Sequence, residues 1–257
     1  MLSAPAAKIS IERVSHTFRA NDTDVPTLDD VSLEIPRGAF VSVVGPSGCG
    51  KSTLLNVISG LLLPDRGRVC IDGAAVSGIQ KQMGYMFARD GLMPWRTAQQ
   101  NVEFGLELQH VPGRAEIARS LLREVGLVGF EGQYRHELSQ GMRQRVAVAR
   151  TFATDPEILL MDEPFGALDA QTRMLVQDTF LRIWEEKKKT VLFITHDLME
   201  AIVLSDTVVI MSHRPGRIKR TLTIDIPRPR SATALHFDAQ FQGYYETLWN
   251  ELKPEVA

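Results

Sequence analysis

The stretch from residue 39 to residue 62 leaves this chain few ways to fold. Residues 39–44 (AFVSVV) are almost all apolar, residues 45–53 (GPSGCGKST) form a glycine-rich loop, and residues 54–62 follow as an amphipathic run. A short apolar run of this kind is typical of a strand buried on both faces, and such strands occur in parallel sheets. The order of strand, glycine loop and helix therefore predicts an α/β fold around a parallel sheet.

Other segments extend that sheet and add a second one. Three more apolar runs lie at residues 158–161, 191–195 and 207–211, with helical patterns between them. Residues 8–19 and 30–36 instead alternate apolar and polar side chains, as half-buried antiparallel strands do. We therefore predict a mostly parallel central sheet, an N-terminal antiparallel β-subdomain and an inserted α-helical subdomain.

The helical subdomain is predicted from a change of pattern. Residues 98–109 and 115–125 have helical periodicity, and no strand pattern occurs between about 89 and 150. The predicted organisation is a single domain over residues 1–257, with a catalytic α/β core at about 8–88 and 156–226, the helical subdomain at about 89–155, and a C-terminal extension at about 227–257 that has a helix near 237–252.

Composition excludes several classes of protein. The 257 residues are 44% hydrophobic, enough to fill a core, and the formal net charge is −2. Such a balance provides no overall positive field, so nucleic acid is not an expected partner. Two cysteines do not form a disulfide framework or a zinc site. No run of about 18 apolar residues is present, so no membrane-spanning helix is predicted.

The glycine-rich loop matches the pattern G-x-x-x-x-G-K-[ST]. Its glycines permit a tight turn whose N–H groups bind phosphate, so the predicted fold class is that of a P-loop NTPase. Lys51 is expected to hold the β- and γ-phosphates, and Ser52 to ligate Mg²⁺. Because Cys49 lies near a helix N-terminus, we expect a lowered thiol pKa there and loss of nucleotide binding on alkylation. The candidate nucleotide contacts of the loop are Gly45, Pro46, Ser47, Gly48, Cys49, Gly50, Lys51, Ser52 and Thr53.

Catalytic groups are expected where other strands end. Asp162 and Glu163 follow one apolar strand and suit the Mg²⁺ shell and the polarisation of the attacking water, respectively. A plain helix cap is the alternative for this pair. His196 follows another strand and suits a hydrogen bond to the γ-phosphate, the alternative being a structural histidine. Phe18 ends the first strand and is either an adenine-stacking ring or a core aromatic.

A second phosphate contact is predicted at the turn Ser139-Gln140-Gly141, which opens a helix. The N–H groups of such a helix start favour an anion. The alternative is an ordinary Ser N-cap, which would only stabilise the helix by about 1 kcal/mol.

In their order along the chain, these motifs resemble those of the ATP-binding subunits of ABC transporters. Phe18 matches the aromatic A-loop position, residues 138–142 match the signature, residues 158–163 match Walker B, residues 166–169 match the D-loop and His196 matches the switch histidine. The resemblance implies Mg²⁺-dependent ATP hydrolysis by a head-to-tail homodimer. In that dimer Ser139 and Gly141 of one subunit contact the γ-phosphate held by Lys51 of the other.

The same resemblance implies a place in a larger assembly. Two membrane-spanning permease subunits and a periplasmic or lipid-anchored solute-binding protein are the implied partners, at the cytoplasmic face of the cell membrane. Residues 94–97 (PWRT), 214–218 (RPGRI) and 227–230 (PRPR) are similar to those of the nitrate, sulfonate and taurine importer group. Trp95 either contacts the membrane partner or anchors the helical subdomain. A soluble ABC-type ATPase and a low-turnover regulatory module are the alternative functions.

One position departs from the family pattern. The Q-loop normally has a glutamine after its apolar run, whereas here residues 84–87 (GYMF) are followed by Ala88. A methyl group offers no oxygen to Mg²⁺ or to the attacking water. We expect Ala88 to slow hydrolysis or loosen its coupling to transport without abolishing ATP binding. Asp90 is a candidate substitute for the missing ligand.

Overall fold

The structure is a computed structural model that describes residues 7–20, 23–233, 235 and 239–256. Its described strands form two sheets. The first is antiparallel, with strand order β2-β1-β4-β5. Its strands are β1 (Ala7–Ala20), β2 (Thr23–Pro36), β4 (Arg66–Ile71) and β5 (Ala74–Ala75).

The second sheet is the central one and has the order β10-β9-β3-β8-β7-β6. All of its neighbouring strands are parallel except β9 and β10. The carboxyl ends of the parallel strands therefore meet at one edge. Its strands are β3 (Phe40–Val44), β6 (Met83–Met86), β7 (Ile158–Asp162), β8 (Thr190–Ile194), β9 (Thr207–Met211) and β10 (Ile218–Thr223).

The apolar character of the central strands follows from cover on both faces. Successive strand residues project to opposite faces. In β3, Phe40 and Val44 pack into the core that contains most of the helices, while Val41 and Val43 pack into a second core with α1 and the antiparallel sheet. All five residues of β3 are buried. The predicted P-loop α/β fold with its antiparallel β-subdomain is therefore confirmed.

Helices cover the sheet and form a separate group after β6. From residue 89 to residue 155 the regular structure is helical, apart from one isolated bridge between Thr97 and Tyr134. The subdomain boundaries at about 89, 156 and 227 remain predictions. The helices are α1 (Lys51–Ser59), α2 (Ala98–Leu108), α3 (Arg114–Glu124), α4 (Gln140–Ala153), α5 (Ala170–Lys187), α6 (Leu198–Leu204) and α7 (Ala239–Val256), with a 3₁₀ turn at Arg135–Glu137.

Several expected elements differ in extent. The run at 54–62 belongs to a helix that begins earlier, at Lys51, and ends at Ser59, where Gly60 adopts a left-handed C-cap. The C-terminal helix predicted near 237–252 begins at Ala239 among the described residues and continues to Val256. Its predicted first residue, Phe237, lies outside the described residues. In the described part of the chain, no helix combines the length and apolar character needed to span a bilayer.

Candidate functional site

A cavity of about 350 Å³ opens beside the glycine-rich loop. It brings together Phe18 from β1, the loop before α1 and Glu163 after β7. These groups are far apart in sequence, so the cavity exists only because the two sheets stack at this edge. The residues that line it are Phe18, Val25, Thr27, Ser47, Gly48, Gly50, Lys51, Ser52, Thr53, Glu163 and Arg214.

Two positions of the glycine-rich loop require glycine, because of their backbone conformation and, at Gly50, a close contact. Gly48 and Gly50 have φ values of 75° and 108°, a region that side chains rarely adopt. A Cβ at Gly50 would also lie 2.8 Å from the carbonyl oxygen of Thr27. Gly50 is the N-cap of α1 and provides no side-chain cap. The first N–H groups of α1 are therefore left for an anionic ligand, as at other phosphate-binding helix starts.

Lys51 is held inside this loop. Its side chain is buried, and its Nζ donates hydrogen bonds to the carbonyl oxygens of Gly45 (2.8 Å) and Pro46 (2.9 Å). Both acceptors are neutral, so neither compensates the charge of the ammonium beside the cavity. That charge favours an anionic ligand.

Asp162 and Ser52 meet at the same edge. Asp162 is the last residue of β7 and pairs with Ile194 of β8. Ser52 donates a hydrogen bond to the Asp162 carboxylate. Burial raises the pKa of Asp162 above its ordinary value, while that hydrogen bond and the charge of Lys51 oppose the rise. A carboxylate and a hydroxyl in contact are oxygen ligands of the kind that Mg²⁺ prefers.

Glu163 and His196 contact each other directly. His196 Nδ1 lies 3.1 Å from Glu163 Oε2, and both side chains are accessible to solvent. Glu163 has φ 46°, and its backbone N–H donates to the carbonyl oxygen of Ile194. The helix-cap alternative is wrong, because the next helix, α5, is capped by Asp169.

Two further expectations are decided by burial. Phe18 is 43% exposed and makes an edge contact with His16, so the core-aromatic alternative is wrong. Cys49 is 1% exposed, and burial raises the pKa of its thiol. The expected lowering of that pKa is therefore wrong. Desolvation of the thiolate outweighs Lys51 and the nearby N–H groups, so alkylation of Cys49 is no longer expected.

The Ser139-Gln140-Gly141 turn lies outside the cavity of its own chain. Ser139 is the N-cap of α4 and accepts a hydrogen bond from the N–H of Met142, so the capping role is real. Ser139 and Gln140 are nevertheless exposed. The Gln140 amide donates to the carbonyl oxygen of Ala167 at 2.7 Å, which ties the turn to the segment after Glu163.

The Q-loop region differs from one of our expectations. Ala88 is exposed and follows β6, whose last residue, Met86, pairs with Met161 of β7. Asp90 is not free to replace a missing metal ligand, because it forms ion pairs with Arg135 (3.0 Å) and Arg143 (3.3 Å). Hydrogen bonding and charge from Arg135 help to hold the pKa of Asp90 below its ordinary value, although burial acts in the opposite direction.

Trp95 is 73% exposed, so it does not anchor the helical subdomain. The anchor is Asn101, which is 1% exposed. Its side chain accepts from the N–H of Met93 and donates to the carbonyl oxygens of Met93, Arg96 and Thr97. Asn101 thus fixes the loop that presents Trp95. No sequence pattern that we used indicated this role.

Sequence reasoning also missed two charged residues near the site. Arg214 lines the cavity, whereas its RPGRI segment indicates only a similarity to importers. Glu200 of α6 is 4% exposed and hydrogen-bonds Gln177 of α5 and Thr195, the residue before His196. Burial raises the pKa of Glu200 to about 7. Glu200 thereby connects the end of β8 to α5.

Comparisons with known proteins identify the family. The family described as "ABC transporter" matches residues 28–166. An ABC transporter ATP-binding protein of Methanocaldococcus jannaschii is 49% identical over 97% of this chain and 92% of its own length. An aliphatic sulfonates import ATP-binding protein of Bacillus cereus is 44% identical over 89% of this chain and 91% of its own length.

A solved structure is similar as well. It is a dimeric ATP-binding cassette in a post-hydrolysis state with ADP and phosphate, and it aligns with a TM-score of 0.75 at 31% identity. The alignment covers 85% of this chain and all of the solved chain. Family match, relatives and fold agree, and we conclude that this chain belongs to the ABC transporter family, as an ATPase that binds and hydrolyses ATP.

Proposed function

We propose that the chain is the ATPase of a membrane importer and works as a head-to-tail homodimer. The observation that supports this most is the position of the signature turn. Ser139 and Gln140 are exposed at the start of α4, Gly141 is buried beside them, and all three lie outside the cavity that contains Lys51 and Glu163. A second copy in head-to-tail arrangement would add that helix start, with its N–H groups, to the phosphate end of the cavity.

Within each site we assign roles from the contacts. Lys51 neutralises charge on the β- and γ-phosphates, and the loop N–H groups hold the phosphate chain. Glu163 accepts a hydrogen bond from the attacking water and orients it. When both ring nitrogens of His196 carry a proton, Nδ1 donates to Glu163 Oε2 across their 3.1 Å contact and Nε2 donates to the γ-phosphate.

Mg²⁺ is the proposed cofactor. Among the described residues, no group of three or more His, Cys, Asp or Glu side chains is placed to enclose a metal ion. Mg²⁺ does not need such a cage, because it is usually bound by one or two protein oxygens together with substrate phosphates. Ser52 and Asp162 suit that role. Mg²⁺ bound there would neutralise charge that develops on the phosphates.

The proposed partners are two permease subunits and a solute-binding protein, at the cytoplasmic face of the membrane. Trp95 and Phe87 are exposed aromatic side chains and suit contact with permease subunits. Because a relative is named as an aliphatic sulfonate importer and this chain has PWRT and RPGRI segments, we propose sulfonates, taurine or nitrate as the solute class. Nucleic acid is not a proposed partner.

Reconstitution tests the transport role. The full chain would be co-purified with permease and solute-binding proteins encoded beside it and placed in liposomes. We expect ATP-dependent uptake of labelled ethanesulfonate, competed by taurine or other sulfonates, and no uptake with Lys51→Ala. Uptake of none of the proposed solutes by a complex that hydrolyses ATP would refute the solute class. An ATPase that binds no permease would refute the importer itself.

Ala88 provides a second test in the same complex. Ala88→Gln introduces the amide that the family pattern has at this position. We expect about a 3- to 10-fold gain in ATPase rate or in solute moved per ATP, the size of one hydrogen bond. Arg89→Gln is the matched control, because it adds the same amide one residue later. If Ala88→Gln changes neither quantity, the residue is not what limits coupling.

A further inference from the structure

The loop between β9 and β10 lies against the phosphate-binding loop. Ser212 closes it: its N–H donates to the carbonyl oxygen of Arg217, and its hydroxyl accepts from the Arg217 N–H. Gly216 then packs directly on the phosphate-binding loop, where an added Cβ would overlap the carbonyl oxygen of Cys49. The β9–β10 loop is therefore held at a defined distance from the nucleotide cavity.

The same loop is also tied to the antiparallel sheet. The N–H of Gly216 donates to the carbonyl oxygen of Thr27 (2.9 Å), and the N–H of Asp29 donates to the carbonyl oxygen of Gly216 (3.1 Å). Arg217 forms an ion pair with Asp29. With the phosphate-binding loop on one side and β2 on the other, the loop has little freedom to move away from the cavity.

Arg214 extends from this fixed loop to the cavity. Its Nε donates to the carbonyl oxygen of Gly48 at 3.1 Å, and its side chain lines the cavity together with Phe18 and Lys51. Unlike Arg217, Arg214 forms no ion pair with a carboxylate in the described part of the chain. Its guanidinium carries five N–H donors and a permanent charge, and a backbone carbonyl neutralises none of that charge.

We propose that Arg214 is a nucleotide-contacting residue, which supplies a second cation, besides Lys51, to the phosphate chain of ATP. Gly48 belongs to the loop whose N–H groups cradle the α- and β-phosphates. A guanidinium that hydrogen-bonds the Gly48 carbonyl would therefore lie beside these two phosphates of ATP. Arginine is well suited to this task, because its planar fork matches phosphate oxygens. The hydrogen bond to Gly48 preorients the guanidinium and reduces the entropy lost when nucleotide binds.

Binding by the purified full chain tests the proposal. Arg214→Met keeps the length of the side chain and removes its charge. We expect Kd to rise by about 10- to 100-fold for both ATP and ADP, as for loss of one charge-assisted hydrogen bond, and by less for AMP. The slope of log Kd for ATP against log salt concentration should become shallower. Arg214→Lys should recover part of the affinity, since it restores charge but not the fork.

Arg217→Met is the matched control. It removes another exposed guanidinium from the same loop, but one that is paired with Asp29 and lies outside the nucleotide cavity. We expect its ATP affinity to stay within about 2-fold of the native value. ATP binding does not depend on the transported solute, so this result is independent of the proposed transport role.

Three outcomes would overturn the proposal. The first is an unchanged ATP affinity in Arg214→Met. The second is an equal loss of affinity in Arg214→Met and Arg217→Met, which would mean that the β9–β10 loop matters only as a scaffold. The third is an equal loss for ATP, ADP and AMP with an unchanged salt slope and a lowered melting temperature of the nucleotide-free chain. That pattern would assign Arg214 a structural hold on Gly48 instead of a phosphate contact.

Discussion

Glu163→Gln is expected to slow ATP hydrolysis by about 10²- to 10⁴-fold, the usual contribution of a positioned general base. The amide keeps the size of the side chain and its contact with His196, but it is no longer a strong acceptor for the proton of the attacking water. ATP affinity should change little, because Lys51 and the loop N–H groups are untouched. An ATP-bound dimer should therefore accumulate.

Single-turnover hydrolysis and light scattering with Mg²⁺ and ATP measure these two effects. Glu186→Gln is a matched control, because Glu186 is an exposed residue of α5 remote from the residues that line the cavity. If Glu163→Gln hydrolyses ATP within tenfold of the native rate, Glu163 is not the general base of the reaction. A Glu163→Gln chain that stays monomeric with bound ATP would contradict the proposed homodimer.

Gly141→Ala is expected to reduce hydrolysis by 10-fold or more, for one of two separable reasons. Within the chain, the added methyl would overlap the Cγ2 methyl of Thr172 on α5, and overpacking of this kind costs about 1–3 kcal/mol. Between chains, the methyl would stand at the helix start that we propose to face the partner's γ-phosphate. We expect the second effect to dominate the loss of activity.

The double variant Gly141→Ala/Thr172→Ser separates the two reasons. Serine lacks the Cγ2 methyl, and the hydrogen bond from the Thr172 backbone N–H to Asp169 is unaffected. We expect the double variant to recover melting temperature but to remain slow in hydrolysis and poor in ATP-driven dimerisation. Thr172→Ser alone should behave like the native chain. Full recovery of hydrolysis in the double variant would show that Gly141 serves only packing on α5.

The central strands could be placed from the sequence because cover on both faces favours apolar residues at nearly every position. In β3 and β8 all five residues are buried, and both strands stood out as apolar runs. β4 did not, since its first three residues are exposed and only the last three are buried. β10 lies at the sheet edge with no buried residue, so its residues carry no comparable signal.

The properties of charged and reactive groups were harder to predict from the sequence, because their pKa values and ion pairs depend on neighbours distant in sequence. Cys49 has a helix N-terminus beside it, which lowers a thiol pKa, but its burial raises that pKa more. The position of Asp90 in the sequence suits a metal ligand, but its carboxylate forms ion pairs with Arg135 and Arg143. Neither outcome follows from local residues.

Residue order alone specified the P-loop fold and the family. It also placed Lys51 after the glycine-rich loop and placed Asp162, Glu163 and His196 at strand ends. This was possible because parallel strands bring their carboxyl ends to one edge whatever the loops between them contain. Only the folded chain revealed Arg214 beside Gly48, Asn101 as the anchor of the Trp95 loop and the exposure of the Ser139 turn. Those relations arise from the packing of loops and subdomains, which leaves no periodic pattern in the sequence.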